Sequence, residues 1–184
     1  MGNILACNAA NIPIKINMVV MQGVNDMEIN DFIAFGIAHD IEVRFIEAMP
    51  FNEGDGNKHL YLNADRILES IMGKHELHKV VSDQPSASEH FMIGDYRFGI
   101  IPAYTRALCG TCNRIRLTPQ GELLNCLYSQ KGVDLRSVVR TVGISDAEIE
   151  AVIRKAVSEK HVDGHAAEQE QVGDIFRSMT TIGG

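Results

Sequence analysis

The sequence predicts an α/β fold: a stretch of βα units forming a parallel sheet, followed by a small α+β extension. Three observations predict it. Residues 1–81 alternate apolar β-branched runs with segments of helical periodicity. Residues 82–184 break into short apolar segments separated by Gly and Pro turns before two amphipathic helices. Three of the four cysteines fall in one short window of that second part.

The first part opens its regular structure with Ile14 to Met21 (IKINMVVM), nearly continuous in apolar residues, which reads as a strand buried on both faces. The following Gly23-Val24-Asn25-Asp26 makes a turn and a helix start, with Asn25 or Asp26 as the N-cap. Ile29, Phe32, Ile33, Phe35 and Ile37 then recur at helical spacing. Ile41 to Ile46 is a second strand, leading into Glu47-Ala48-Met49-Pro50. Beyond a polar, Gly-rich loop, Asn63 caps a helix whose apolar stripe is Ile67, Leu68 and Ile71. Two βα units neither close a barrel nor cover a sheet alone, so this part asks for neighbours, in a homodimer or a missing N-terminal half.

The second part begins at residue 82. Ser82 to Glu89 is polar, contains Pro85 and reads as a linker. His90 to Ile93, Tyr96 to Ile101, Arg114 to Thr118 and Glu122 to Leu124 are short strands of an antiparallel or irregular region. Helices follow over Leu135 to Arg140 and Ser145 to Lys160, the latter opened by Ser145-Asp146-Ala147-Glu148, a capping box.

Composition narrows the function classes. The chain has 184 residues, 45% hydrophobic and 22% charged, with a net charge of −7. An acidic chain is a poor partner for a nucleic-acid polymer, whose phosphates demand a basic surface. A single nucleotide needs only a few arginines in one place. No apolar run approaches the roughly 20 residues that span a bilayer, and the start carries no signal peptide. The expected location is cytoplasmic, where cysteines serve metal or redox chemistry rather than structural disulfides.

Cys109-Gly110-Thr111-Cys112 is followed by thirteen residues and Cys126. Three thiolates without an obvious fourth ligand are unusual for structural zinc and suit a 4Fe-4S cluster with one iron free of protein. A zinc site would need a fourth ligand, for which His90, His161 and His165 are candidates. Spacing alone does not separate the two metals. Arg114-Ile115-Arg116 follows at once. On a strand Arg114 and Arg116 share a side, and two guanidinium groups beside a metal centre suit a phosphate; a solvated pair is the competing reading. Lys15 interrupts an apolar strand and is either an anion ligand or a lysine that snorkels to the strand end. Met49, just after the second strand, reads first as packing.

Five segments in register carry a resemblance. They are Pro13-Ile14-Lys15-Ile16-Asn17-Met18-Val19-Val20-Met21, Gly23-Val24-Asn25-Asp26, Glu42-Val43-Arg44-Phe45-Ile46-Glu47-Ala48-Met49-Pro50, Cys109 to Thr118 with Gly121 and Asn125-Cys126-Leu127, and the terminal Ile182-Gly183-Gly184. In these the chain resembles the C-terminal half of the radical SAM GTP 3',8-cyclase family of molybdenum cofactor biosynthesis. The resemblance implies the C-terminal part of an incomplete TIM-type (β/α) barrel over 1–81. Over 82–184 it implies a small α+β extension carrying an iron–sulfur site, with GTP held at the open iron of a second 4Fe-4S cluster.

By position the resemblance makes Cys109, Cys112 and Cys126 the cluster ligands and Lys15, Arg114, Ile115 and Arg116 the GTP site. It makes Met49 a contact of S-adenosylmethionine (SAM) and sends the Gly183-Gly184 tail toward the active site, where a bare backbone approaches a ligand closely. It also implies a lyase that converts GTP to 3',8-cyclo-7,8-dihydro-GTP with a radical made from SAM at a first 4Fe-4S cluster. That first cluster needs a CxxxCxxC motif, which these 184 residues lack. The expectation is a substrate-side fragment, inactive alone. The alternative is a non-catalytic binding module stabilised by zinc or a cluster.

Overall fold

The fold is described from a computed structural model, over residues 2–49, 59–81, 86–105, 109, 112–129 and 131–169. The described residues fall into two compact units, one drawn from residues 2–105 and the other from residues 109–169.

The first unit starts with helix α1 (Gly2–Ala9), then strand β1 (Lys15–Val20). A 3-10 turn (Asp26–Glu28) leads into α2 (Ile29–His39), and strand β2 (Glu42–Glu47) follows. The unit continues with α3 (Ala64–Met72), β3 (His78–Val80), β4 (Glu89–Ile93) and β5 (Tyr96–Ile101). The five strands form one mixed sheet in the order β1-β2-β5-β4-β3. β1, β2 and β5 run parallel, while the β3, β4 and β5 pairings are antiparallel. Among the described residues the sheet is open and forms no closed barrel.

One face of the sheet carries the core. Met18 and Val20 of β1, Val43 and Phe45 of β2, and Phe98 and Ile100 of β5 are buried against Ile29 and Ile33 of α2 and Ile67 and Ile71 of α3. The other face follows from the same two-residue period. In register it presents Lys15 beside Glu42, and Asn17 beside Arg44. Arg97 and His90 continue the row on β5 and β4.

This arrangement corrects two expectations and part of a third. β1 is not buried on both faces: Lys15, Asn17 and Val19 are exposed, because β1 is an edge strand and the two helices cover only one side. The boundary at 81/82 falls inside the first unit, because the β4–β5 hairpin pairs β5 in parallel with β2 through Arg44, Phe45 and Ile46. The expected cap holds by position only: Asn25 stands at the N-cap of the 3-10 turn Asp26–Glu28, but its side chain makes no cap bond there, and Glu28 holds that position for α2. Asn25 instead accepts the Met21 N–H and donates to the Val19 carbonyl, tying the turn to the end of β1. Asp26 accepts the Gly23 N–H.

Other local readings hold. Asn63 accepts the Arg66 N–H at 2.9 Å and caps α3. Its stripe residues Ile67 and Ile71 are fully buried.

The second unit contains a three-stranded antiparallel sheet, β6 (Arg116–Leu117), β7 (Glu122–Leu124) and β8 (Val133–Asp134), in that order. Helices α4 (Leu135–Val139), α5 (Asp146–Ser158) and α6 (Gly164–Gln169) follow. Ser145 and Glu148 form the reciprocal capping box of α5. The expected strand from Arg114 is shorter, since only Arg116 and Leu117 pair with β7 and residues 112–115 are irregular. Among the described residues no helix is long and apolar enough to cross a membrane.

Candidate functional site

The second unit gathers the three cysteines. Cys109 and Cys112 sit on one turn, closed by the Cys112 N–H donating to the Cys109 carbonyl at 3.0 Å. Cys126 sits just after β7, on a turn held by the Ser129 N–H donating to its carbonyl at 3.2 Å. Asn125 braces that turn. Its amide donates to the Ala156 carbonyl of α5 at 3.0 Å, and its oxygen accepts the Ser129 hydroxyl at 3.0 Å. The capped helix α5 therefore backs the Cys126 turn.

The electrostatics of the thiols differ. Burial pushes the Cys126 thiol up, and the neighbouring Cys109 and Cys112 add to that push, so the three share one locality. The Tyr128 N–H, 3.5 Å from the Cys126 sulfur, opposes it only in part. For Cys112, burial also works upward but is outweighed. The backbone N–H and guanidinium of Arg114, and the ammonium of Lys160, hold that thiol below its ordinary value.

Arg114 is exposed and Arg116 half-buried. Burial lowers the Arg116 guanidinium, and repulsion from Arg114 lowers it further, so the two guanidiniums act on one another. Ile115 between them is 45% exposed.

Lys160 was not singled out from the sequence. Its Nζ lies 2.9 Å from the Cys112 carbonyl, 3.0 Å from the Arg114 carbonyl and 3.4 Å from the Cys112 sulfur. A contact across 48 residues leaves no local sequence signal.

Thiols are the donor type that iron–sulfur clusters take. The three thiols lie in one unit, where Arg114 and Lys160 act on Cys112, Lys160 acts on Cys126, and both sulfurs act on Arg116. Among the described residues, no three His, Cys, Asp or Glu side chains converge on a single metal-ion position. His161 lies in the same unit, directly after Lys160. The side chain of His165 and the Gly183-Gly184 tail lie outside the described residues.

The first unit places Lys15 and Met49. Lys15 is exposed on the polar face of the sheet, with its Nζ 3.6 Å from Glu42. Met49 is half-buried just after β2. Glu42 is the hub of this face. Its two oxygens accept Arg44 Nε and the Arg97 guanidinium, each at 2.7 Å, and His90 Nε2 stands 3.6 Å away. A cavity of about 400 Å³ at this end of the sheet is lined in part by Asn8, Lys15, Asp40, Glu42, Asp95 and Arg97.

Burial alone would raise the Glu42 carboxyl, but its bonds to Arg44 and Arg97 bring it down from 4.5 to about 2. A depressed carboxyl contributes stability above its unfolded pKa and loses it as pH falls through the folded one. Glu42→Gln is therefore expected to destabilise the chain by roughly 1–2 kcal/mol at pH 7, discounted for the exposure of Lys15 and Arg97. The difference from wild type should vanish as pH falls from about 4.5 toward 2, read by urea titration across that range. A difference that persists unchanged at pH 2 would sink this assignment. Burial lowers His90, with Glu42 opposing and Arg97, Arg44 and Lys15 assisting, so its imidazole is neutral at pH 7.

Residues 41–166 match the family model described as Molybdenum Cofactor Synthesis C. The GTP 3',8-cyclase of Heliobacterium modesticaldum is 38% identical over 178 residues, covering 94% of this chain and 54% of that protein. That of Thermodesulfovibrio yellowstonii is 36% identical over 182 residues, covering 97% and 55%. That of Streptomyces coelicolor is 34% identical over 188 residues, covering all of this chain and 54% of its own. The chain spans about half the length of these curated relatives. The matched segment includes all three clustered cysteines, both site arginines and Lys160, and on that match the chain belongs to the Molybdenum Cofactor Synthesis C family.

Proposed function

We propose that this chain is the substrate-side part of a GTP 3',8-cyclase, the activity that names its relatives. The observation that carries the proposal is the grouping, in one unit, of three thiols with Arg114 and Arg116. Cys109, Cys112 and Cys126 would hold a 4Fe-4S cluster. When bound, the cluster supplies one iron without a protein ligand, open to a donor atom of the nucleotide.

The chain's own residues do the rest. Arg114 and Arg116 supply charge and directed donors for the triphosphate, with the Ile115 backbone between them. From the resemblance alone, Lys15, Gly183 and Gly184 are further candidates for binding GTP, and Met49 is a candidate for binding SAM. The parallel strands β1, β2 and β5, with α2 and α3 on one face, are the later part of a (β/α) barrel completed by further strands. No CxxxCxxC occurs in these 184 residues, so the chain by itself makes no 5'-deoxyadenosine from SAM.

The test is electron paramagnetic resonance on anaerobically reconstituted protein, with and without GTP. A reduced 4Fe-4S signal that changes on GTP addition is expected. A signal indifferent to saturating GTP would refute nucleotide binding at the cluster. Arg114→Ala should weaken GTP about 10- to 100-fold, the loss of one charge-assisted phosphate contact. Unchanged affinity would return Arg114 to a solvated surface position. Dithionite and SAM should yield no 5'-deoxyadenosine with this chain alone; its formation would overturn that part of the proposal.

A further inference from the structure

Lys160 follows α5 by two residues and faces the irregular segment 112–115. An ammonium has three N–H donors. Here three acceptors meet it: the carbonyls of Cys112 and Arg114, at 2.9 and 3.0 Å, and the Cys112 sulfur, at 3.4 Å. All three belong to one stretch of three residues. That stretch carries both a thiol of the trio and the first site arginine, and no ladder bond holds it, because β6 begins only at Arg116.

The anchor itself is rigid. α5 is closed at its start by the capping box and tied at Ala156 to Asn125, beside Cys126. Lys160 therefore links the Cys112 turn to the helix that backs the Cys126 turn. A solvated lysine would satisfy its donors with water and hold no fixed geometry; this one is half-buried.

We infer that Lys160 is a positioning residue of the iron–sulfur site, clamping the Cys112–Arg114 segment and placing a fixed positive charge against the Cys112 sulfur. The inference rests on the proposed function above. Its electrostatic consequence is specific. A donor bonded to a ligand sulfur, and a positive charge beside it, favour the more negative, reduced state of a cluster and raise its reduction potential. The clamp also presets the backbone from which Arg114 projects.

The test compares wild type, Lys160→Gln and Lys160→Arg, reconstituted anaerobically with iron and sulfide. The readout is the midpoint potential, from the reduced paramagnetic signal. The midpoint is expected to move negative in Lys160→Gln and to return toward wild type in Lys160→Arg, which keeps the charge and the donors. Equal midpoints in iron-loaded wild type and Lys160→Gln would overturn this inference alone. Wild-type protein that takes up no iron would overturn the parent proposal and this inference with it. Should Lys160→Gln load no iron, amide exchange in the metal-free chain decides. Residues 112–117 are expected to exchange at least about tenfold faster in Lys160→Gln, a loss of local stability of about 1.4 kcal/mol, with β1 and β2 unchanged. Equal exchange in that segment would overturn the clamp.

Discussion

Replacing Glu47 by alanine is expected to destabilise the first unit by roughly 3–4 kcal/mol. Glu47 is the last residue of β2 and is 1% exposed. Its Oε1 accepts the Ala64 N–H at 2.6 Å, at the first turn of α3, where a carboxylate also meets the positive end of the helix. Its Oε2 accepts the Tyr104 and Thr105 N–H groups at 2.7 and 2.8 Å, and the Thr105 hydroxyl donates to the same carboxylate. Alanine would leave three backbone donors without their acceptor. Glutamine is expected to recover only part of the loss, because its amide NH₂ must face one set of those donors. Chemical denaturation of the two variants checks this. A loss below about 1 kcal/mol in Glu47→Ala would show that water replaces the carboxylate without penalty.

Replacing Cys112 by alanine is expected to abolish iron retention while leaving the fold intact. Three thiolates are the fewest that hold a 4Fe-4S cluster with a single open iron, and two leave it labile. Among the three proposed ligands, Cys112 is the one whose deprotonated sulfur is favoured, by Arg114 and Lys160. The circular dichroism of the metal-free variant should match wild type. Cys7 serves as the internal control. It lies on α1, outside the second unit, and Cys7→Ala should keep full iron content. Equal iron content in Cys112→Ala and wild type would remove Cys112 from the ligand set.

The sequence made some of this architecture legible and hid the rest for identifiable reasons. Local signals worked where the physics is local: the Asn63 cap, the Ser145–Glu148 box, and the strand expected over Ile41 to Ile46. They failed where pairing is long-range. The β4–β5 hairpin reads as the start of a separate β region, because nothing in Tyr96 to Ile101 announces a parallel partner more than 50 residues upstream. Ile14 to Met21 reads as buried on both faces because its apolar content says nothing about being at an edge.

The site divides in the same way. The cysteine spacing and the paired arginines are visible in the chain. Lys160, in the polar run SEKHVDG, looks like any surface lysine. Glu47 offered a signal that went unused: it continues the buried phase of Val43 and Phe45, a position where a carboxylate needs partners. Glu42 offered none, because its cations Lys15, Arg44 and Arg97 meet only when three strands align.

The proposed function requires that the second unit take up iron and sulfide. Elemental analysis of the anaerobically purified, reconstituted chain tests it most directly. Iron and acid-labile sulfide are expected in equal amounts, enough for one 4Fe-4S cluster per chain, with no stoichiometric zinc. One tightly held zinc per chain, without sulfide, would contradict it.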